Sequence, residues 1–109
     1  MLKYLVVAIV ITSAAPAVAD DVPLGPADIF ARVAVVESVC PKYIHVNAAA
    51  AKEEATGWRD TARDMLGESA DGMMRNALEA AYAEVENVGA AKWCVDFRER
   101  FGASQPIFK

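Results

Sequence analysis

Two cysteines, Cys40 and Cys94, constrain the fold of this 109-residue chain more than any other feature. With only two thiols a single pairing is possible, and the bond would close a loop from residue 40 to residue 94. Chain entropy gives such a loop roughly 4 kcal/mol of stabilisation, which is much of the net stability of a small domain. Whether the thiols pair depends on the compartment, because thiols stay reduced in the cytosol.

The N-terminal segment MLKYLVVAIVITSAAPAVA, residues 1–19, has the parts of a signal peptide. A single lysine precedes the apolar run 4–11, and the small residues Ala17 and Ala19 stand before the predicted cleavage site. A transmembrane anchor is the less favoured interpretation, because spanning a bilayer takes roughly 18 to 20 apolar residues. We expect export to the periplasm or the medium, cleavage before Asp20, and no stable membrane anchor afterwards.

The exported chain, residues 20–109, is short enough to form a single domain. Cleavage removes one lysine and leaves ten basic and 15 acidic side chains, a formal charge of about −5. An acidic surface without a strong basic cluster argues against nucleic acid as a partner, because phosphate binding needs concentrated positive charge. In an oxidising compartment we expect a Cys40–Cys94 disulfide, with a free buried thiol or a reactive thiol as the alternatives.

Apolar residues recur at helical spacing in four segments of the exported chain. The four stripes are Ile29, Val33, Val36 and Cys40; Ala48, Ala51, Ala55, Trp58, Ala62 and Met65; Met74, Leu78, Ala81, Val85 and Val88; and Cys94, Phe97 and Phe101. Only residues 43–46 show strand-like alternation. The pattern predicts an all-α bundle of three or four helices, with the two cysteines on the apolar faces of the first and last.

Helix ends are also marked in the sequence. The expected ends lie at Pro41, which breaks a helix, and at the glycines Gly67, Gly89 and Gly102. Asn47 and Ser69 stand where side-chain caps are expected at the starts of the second and third helices. Further helix after Gly102 is limited by Pro106.

No residues in the sequence indicate a catalytic, cofactor-binding or metal site. His45 and Cys40 could form a thiolate and its base, but this pair would need an unpaired cysteine and lies in no thiol-enzyme motif. A closed zinc site needs about four nitrogen or sulfur ligands, and one histidine and two cysteines are too few. Asp60 and Asp64 share a helix face with arginines beside them, as on an ordinary solvated face.

Three residues are candidates for contact with a protein partner. Trp93 lies about 100 degrees around its helix from Cys94, so it can point away from the apolar face. Met73 and Met74 are adjacent and therefore cannot both point into the core. Exposed methionine or tryptophan on an acidic surface is typical of a binding site.

In outline, the signal peptide, about 90 mature residues, helical pattern and single long-range cysteine pair resemble the periplasmic acid-stress chaperones of the HdeA type. The resemblance lies in architecture alone, and it implies a conditional holdase. The sequence itself favours a small exported helical protein that binds a protein or ligand and is not an enzyme. The holdase is the alternative, and a thiol-based enzyme is the third and least favoured hypothesis.

Overall fold

A computed structural model describes residues 24–109, which form four α-helices and three short 3₁₀ turns. The helices are α1 (Pro26–Val39), α2 (Ala48–Leu66), α3 (Ala70–Val88) and α4 (Ala90–Phe101). No strand occurs between residues 24 and 109, and the segment 43–46 is a turn followed by irregular chain, so the prediction of an all-α bundle is confirmed. The predicted signal peptide, residues 1–19, lies outside the described residues.

Helix α1 lies at the centre of the bundle. Pro26 occupies its first turn, where the missing N–H costs nothing, and Asp28 complements the positive end of the helix dipole. Most of its valines and alanines are buried, and they lie on more than one side of the helix, because α1 packs against both α2 and α3. A helix that is apolar around most of its surface needs such enclosure.

The neighbouring helix α2 approaches α1 through small side chains. Ala51, Ala55 and Ala62 are buried along its inner face, where the absence of bulk lets two helices lie close together. Asn47 caps the start as predicted, accepting a hydrogen bond from the Ala50 N–H at 3.1 Å. Gly67 ends the helix, also as predicted.

The start of α3 differs from the prediction. Ser69 makes no side-chain cap, because the 3₁₀ turn Gly67–Ser69 already carries the chain into helical geometry. The non-helical backbone that a side-chain cap needs is therefore missing at Ser69. At the other end, Gly89 separates α3 from α4 with no intervening loop, and its φ of 98° is a conformation that side chains with a Cβ rarely adopt.

The predicted disulfide is present and joins α1 to α4. Cys40 follows the last residue of α1, Cys94 lies in the second turn of α4, and their Cα atoms are 5.6 Å apart. Both cysteines are fully buried within the main apolar cluster. The described residues contain no free cysteine.

The C-terminal tail packs more closely than its sequence indicates. After Gly102 the chain turns back, and the 3₁₀ turn Pro106–Phe108 buries Ile107 and Phe108 in the main cluster. The Asn47 N–H donates to the Ile107 carbonyl at 2.8 Å, which ties the tail to the start of α2. The ring of Phe108 meets those of Phe97 and Phe101 edge-on. The last residues therefore complete the core.

Removing the disulfide should destabilise the fold strongly. Cys94→Ser is expected to lower the free energy of unfolding by about 2 to 5 kcal/mol, because the unfolded chain regains the entropy of a long open loop. Urea unfolding of the variant and the wild type measures this difference.

A control experiment tests whether Cys40 and Cys94 are paired. The denatured wild-type protein is alkylated without reductant, and its intact mass is then measured. We expect no added alkyl group until a reductant is supplied. Addition of two alkyl groups before reduction would show that the cysteines are unpaired in the protein.

Candidate functional site

Large apolar side chains are exposed at one end of the bundle. Leu24 precedes α1, Met65 lies in the last turn of α2, and Met73 lies in the first turns of α3. The exposed fraction is 68% for Met65 and 46% for Met73. We call these three residues the methionine end.

A small buried cluster holds the three helices together at the methionine end. It contains Ala27 of α1, Ala62 of α2, and Ala70 and Met74 of α3, separate from the main cluster around the disulfide. The exposed side chains lie within three residues of these buried ones along the chain. The cluster therefore displays all three at the same end of the molecule.

The position of Met65 around α2 explains why its side chain is exposed. The next residue, Leu66, packs against the buried cluster that contains Ala27 and Ala62. Successive residues of a helix lie about 100 degrees apart around its axis, so Met65 lies to one side of the contact that Leu66 makes. The Met65 side chain is therefore left in solvent.

An ion pair crosses the same end of the bundle. The Nε of Arg63 in α2 donates to a carboxylate oxygen of Asp71 in α3 at 3.2 Å. Both side chains are mostly exposed, so water screens the pair and its contribution to stability is small. Its effect is to place polar groups beside the apolar methionine end, as at the rim of a protein interface.

The predicted partner-contact residues have different environments. Met73 is exposed and Met74 is only 5% exposed, so the inference that the two point in different directions is confirmed. The expectation that Trp93 is exposed is wrong, because its side chain is only 4% exposed. Met65 and Val88 belong to the apolar stripes predicted from the sequence, yet both side chains are exposed, so their placement in the core is wrong.

Burial of Trp93 follows from its contacts with two neighbours. Its ring stacks on Phe97, with centroids 5.4 Å apart, and its indole N–H donates to Glu84 of α3 at 2.9 Å. A helix face about 100 degrees wide can hold both Trp93 and Cys94. The tryptophan therefore fastens α4 to α3.

Glu84 connects three helices through one carboxylate. Arg32 of α1 donates to both of its oxygens, at 2.9 and 3.2 Å, while Trp93 of α4 donates to one of them. The hydrogen bonds from Arg32 hold the pKa of Glu84 below its ordinary value, against the raising effect of partial burial, and the Trp93 bond lowers it further. The carboxylate is thus held ionised at neutral pH.

A shallow groove runs between α1 and α2. Its apolar floor includes Phe30, Ala34 and Ala55, and Glu37, Lys52 and Arg59 are among its polar lining residues. The groove encloses about 260 Å³, which is below the roughly 300 to 1,000 Å³ of ordinary small-molecule pockets. This groove is therefore a weaker candidate for a site than the methionine end.

The thiolate–imidazole pair considered in the sequence analysis is not formed. The sulfur of Cys40 is bonded to that of Cys94, and the Nε2 of His45 lies 3.1 Å from the backbone oxygen of Lys109. Within residues 24–109, no group of three His, Cys, Asp or Glu side chains is arranged to hold a metal ion.

Comparison with known proteins gives no match: no family model, no curated protein and no solved structure is similar to this chain. Among the helices of the described part of the chain, none combines the length and apolarity needed to cross a bilayer.

Replacing Glu84 with Gln should lower the free energy of unfolding at pH 7 by about 0.5 to 1.5 kcal/mol, because the charge-assisted hydrogen bonds are lost. The loss stays in this range because Glu84 is partly exposed and water screens its interaction with Arg32. Because the folded pKa is lowered, the stability that Glu84 adds is present above its unfolded pKa and lost as pH falls through the folded pKa. The deficit of Glu84→Gln relative to wild type should therefore shrink between pH 6 and pH 3.

Urea unfolding across this pH range measures the deficit. Glu86→Gln, an exposed carboxylate on the same helix and outside this network, is the matched control and should stay within about 0.5 kcal/mol of wild type at neutral pH. A deficit for Glu84→Gln that is constant with pH would contradict the assigned role of its charge.

Proposed function

We propose that the chain is the precursor of a small exported protein that binds a protein partner through the methionine end and performs no catalysis. The observation that carries the proposal is the exposure of Met65 and Met73 at the same end of the bundle, with Met65 the most exposed of the large apolar residues at 68%. Solvent-exposed apolar side chains that cluster and have a polar rim are typical of interaction sites. Methionine suits such a site because its flexible thioether adapts to a partner surface.

Export is part of this proposal and is supported by two features. Residues 1–19 have the pattern of a signal peptide. The Cys40–Cys94 bond fits an oxidising compartment such as the periplasm, because disulfides are rare in the cytosol.

The size of the methionine end limits the strength of the proposed complex. Stable interfaces bury about 800 Å² on each partner and involve some 20 to 30 residues a side. Three exposed side chains form only the centre of such a contact. We therefore expect a transient complex, with Met65 as its main apolar anchor because it is the most exposed of the three.

Two substitutions separate the methionine end from the rest of the surface. Met65→Asp places a charge in the last turn of α2, and Val88→Asp places the same charge in the last turn of α3, at another exposed apolar residue. Both variants carry the same unfavourable interaction with a helix C-terminus, so their stabilities should be similar. The two variants differ in that only Met65→Asp changes the methionine end.

Affinity capture from periplasmic extract, followed by titration of the captured protein, is the measurement. Met65→Asp should weaken the complex at least about tenfold, which corresponds to 1.4 kcal/mol, while Val88→Asp should bind like wild type. Equal binding by the two variants, or no stoichiometric complex with wild type, would overturn the proposal.

A holdase chaperone of the HdeA type is the second candidate function. It is favoured by the same exposed methionines, because flexible apolar surfaces can bind many clients. The two candidate functions predict different behaviour at acidic pH. A holdase of this type would open there and protect client proteins from aggregation, whereas a specific binding protein would not.

We expect the protein to remain folded and monodisperse to about pH 4 and to give no client protection at pH 2 to 3, where its carboxylates are mostly neutral. Light scattering of an aggregating acid-denatured client, with and without the protein, tests this expectation. Clear suppression at a near-stoichiometric ratio would make the holdase the better assignment.

A further inference from the structure

Three methionines lie within ten residues of the chain and differ sharply in exposure. Met65 and Met73 are exposed at the methionine end, whereas Met74 is buried against Ala70 and the neighbouring helices. Oxidation of a thioether depends on access of the oxidant to sulfur. The fold therefore divides these methionines into two accessible sulfurs and one shielded sulfur.

We propose that Met65 and Met73 are oxidation sites, and that a peroxide-class oxidant converts the methionine end from an apolar to a polar surface. The inference that oxidation switches partner binding rests on the proposed function. The selectivity for Met65 and Met73 over Met74 rests on exposure alone.

The chemistry is a two-electron transfer of oxygen. A lone pair of the methionine sulfur attacks one oxygen of hydrogen peroxide, so that a sulfur–oxygen bond forms and the oxygen–oxygen bond breaks. Proton transfer to the departing oxygen releases water. The sulfur is oxidised to the sulfoxide and the peroxide is reduced, with no further reactant needed.

The fold should survive oxidation at these two positions. A sulfoxide is strongly polar, but at Met65 and Met73 it faces solvent and displaces no buried neighbour. At Met74 the same group would enter the apolar cluster formed with Ala27, Ala62 and Ala70, where a polar atom without a partner is costly. Oxidation of Met74 should therefore need an opening of the bundle.

Trypsin makes the selectivity directly measurable. Cleavage after Arg63 and Arg75 releases residues 64–75, a single peptide that carries all three methionines. After graded exposure of the folded protein to hydrogen peroxide, we expect this peptide to gain one and then two oxygens. Fragment ions should place them on Met65 and Met73, with Met74 at least about tenfold slower. Comparable rates at all three sites, or a fastest reaction at Met74, would overturn the proposal.

The change in surface polarity is tested on a phenyl hydrophobic-interaction column, which retains folded proteins by their exposed apolar surface. Wild-type protein should elute clearly earlier after peroxide treatment. The double variant Met65→Leu and Met73→Leu keeps the apolar end but has no sulfur there, so its retention should not change. An equal shift in this variant would show that the effect arises elsewhere in the molecule.

Partner binding is then compared in four samples, namely the wild type and the double leucine variant, each with and without peroxide treatment. If reduced wild type forms a complex, oxidation should weaken it at least about tenfold, while the peroxide-treated leucine variant should still bind. Loss of binding by both the peroxide-treated wild type and the peroxide-treated leucine variant would contradict the inference that oxidation of Met65 and Met73 controls binding. Absence of a complex with reduced wild type would count against the proposed function, and the peptide and column results would still decide the oxidation inference.

Discussion

The buried bond between Cys40 and Cys94 determines how the short last helix can sit in this molecule. It joins the end of α1 to the second turn of α4 with Cα atoms 5.6 Å apart, inside the main apolar cluster. Because α1 is itself enclosed by α2 and α3, fixing α4 to α1 fixes it to the whole bundle. Glu84 then sets the orientation of α4 by accepting hydrogen bonds from Arg32 and Trp93. Covalent and polar links thus supplement the limited core that a domain of this size can bury.

The same arrangement leaves the opposite end of the bundle less covered. The main cluster gathers around the disulfide and the C-terminal tail, whereas the start of α1 meets α2 and α3 through mainly small side chains. Leu66 packs against this small cluster, whereas Met65, one residue earlier in α2, remains in solvent. One end of the protein therefore holds the disulfide and most of the buried core, and the other presents the flexible side chains of Met65 and Met73 to solvent. This asymmetry is the physical basis of the proposal that a partner binds at the methionine end.

The sequence predicted most of the features that depend on local chemistry, with the side-chain cap at Ser69 as the exception. Gly67 and Gly89 mark helix ends because glycine favours the backbone conformations found there, and the spacing of Cys40 and Cys94 within their stripes placed both in the core. Features that depend on the position of a neighbouring helix could not be predicted. Periodicity places Met65 on the inner face of α2 but cannot show that Leu66, and not Met65, packs against the neighbouring helices. Burial of Trp93 likewise depends on α3 and the C-terminal tail, which α4 alone does not specify.

Methyl NMR of the folded protein with ¹³C-labelled methionine tests the central claim most directly, namely that this fold exposes some methionines and buries their neighbour. Single substitutions by leucine assign the methyl signals of Met65, Met73 and Met74. A soluble gadolinium chelate should then broaden Met65 most, Met73 next and Met74 least, in the order of their exposure. Equal broadening of all three, or a protected Met65, would contradict the account, because the methionine end would then not exist as an exposed surface on this bundle.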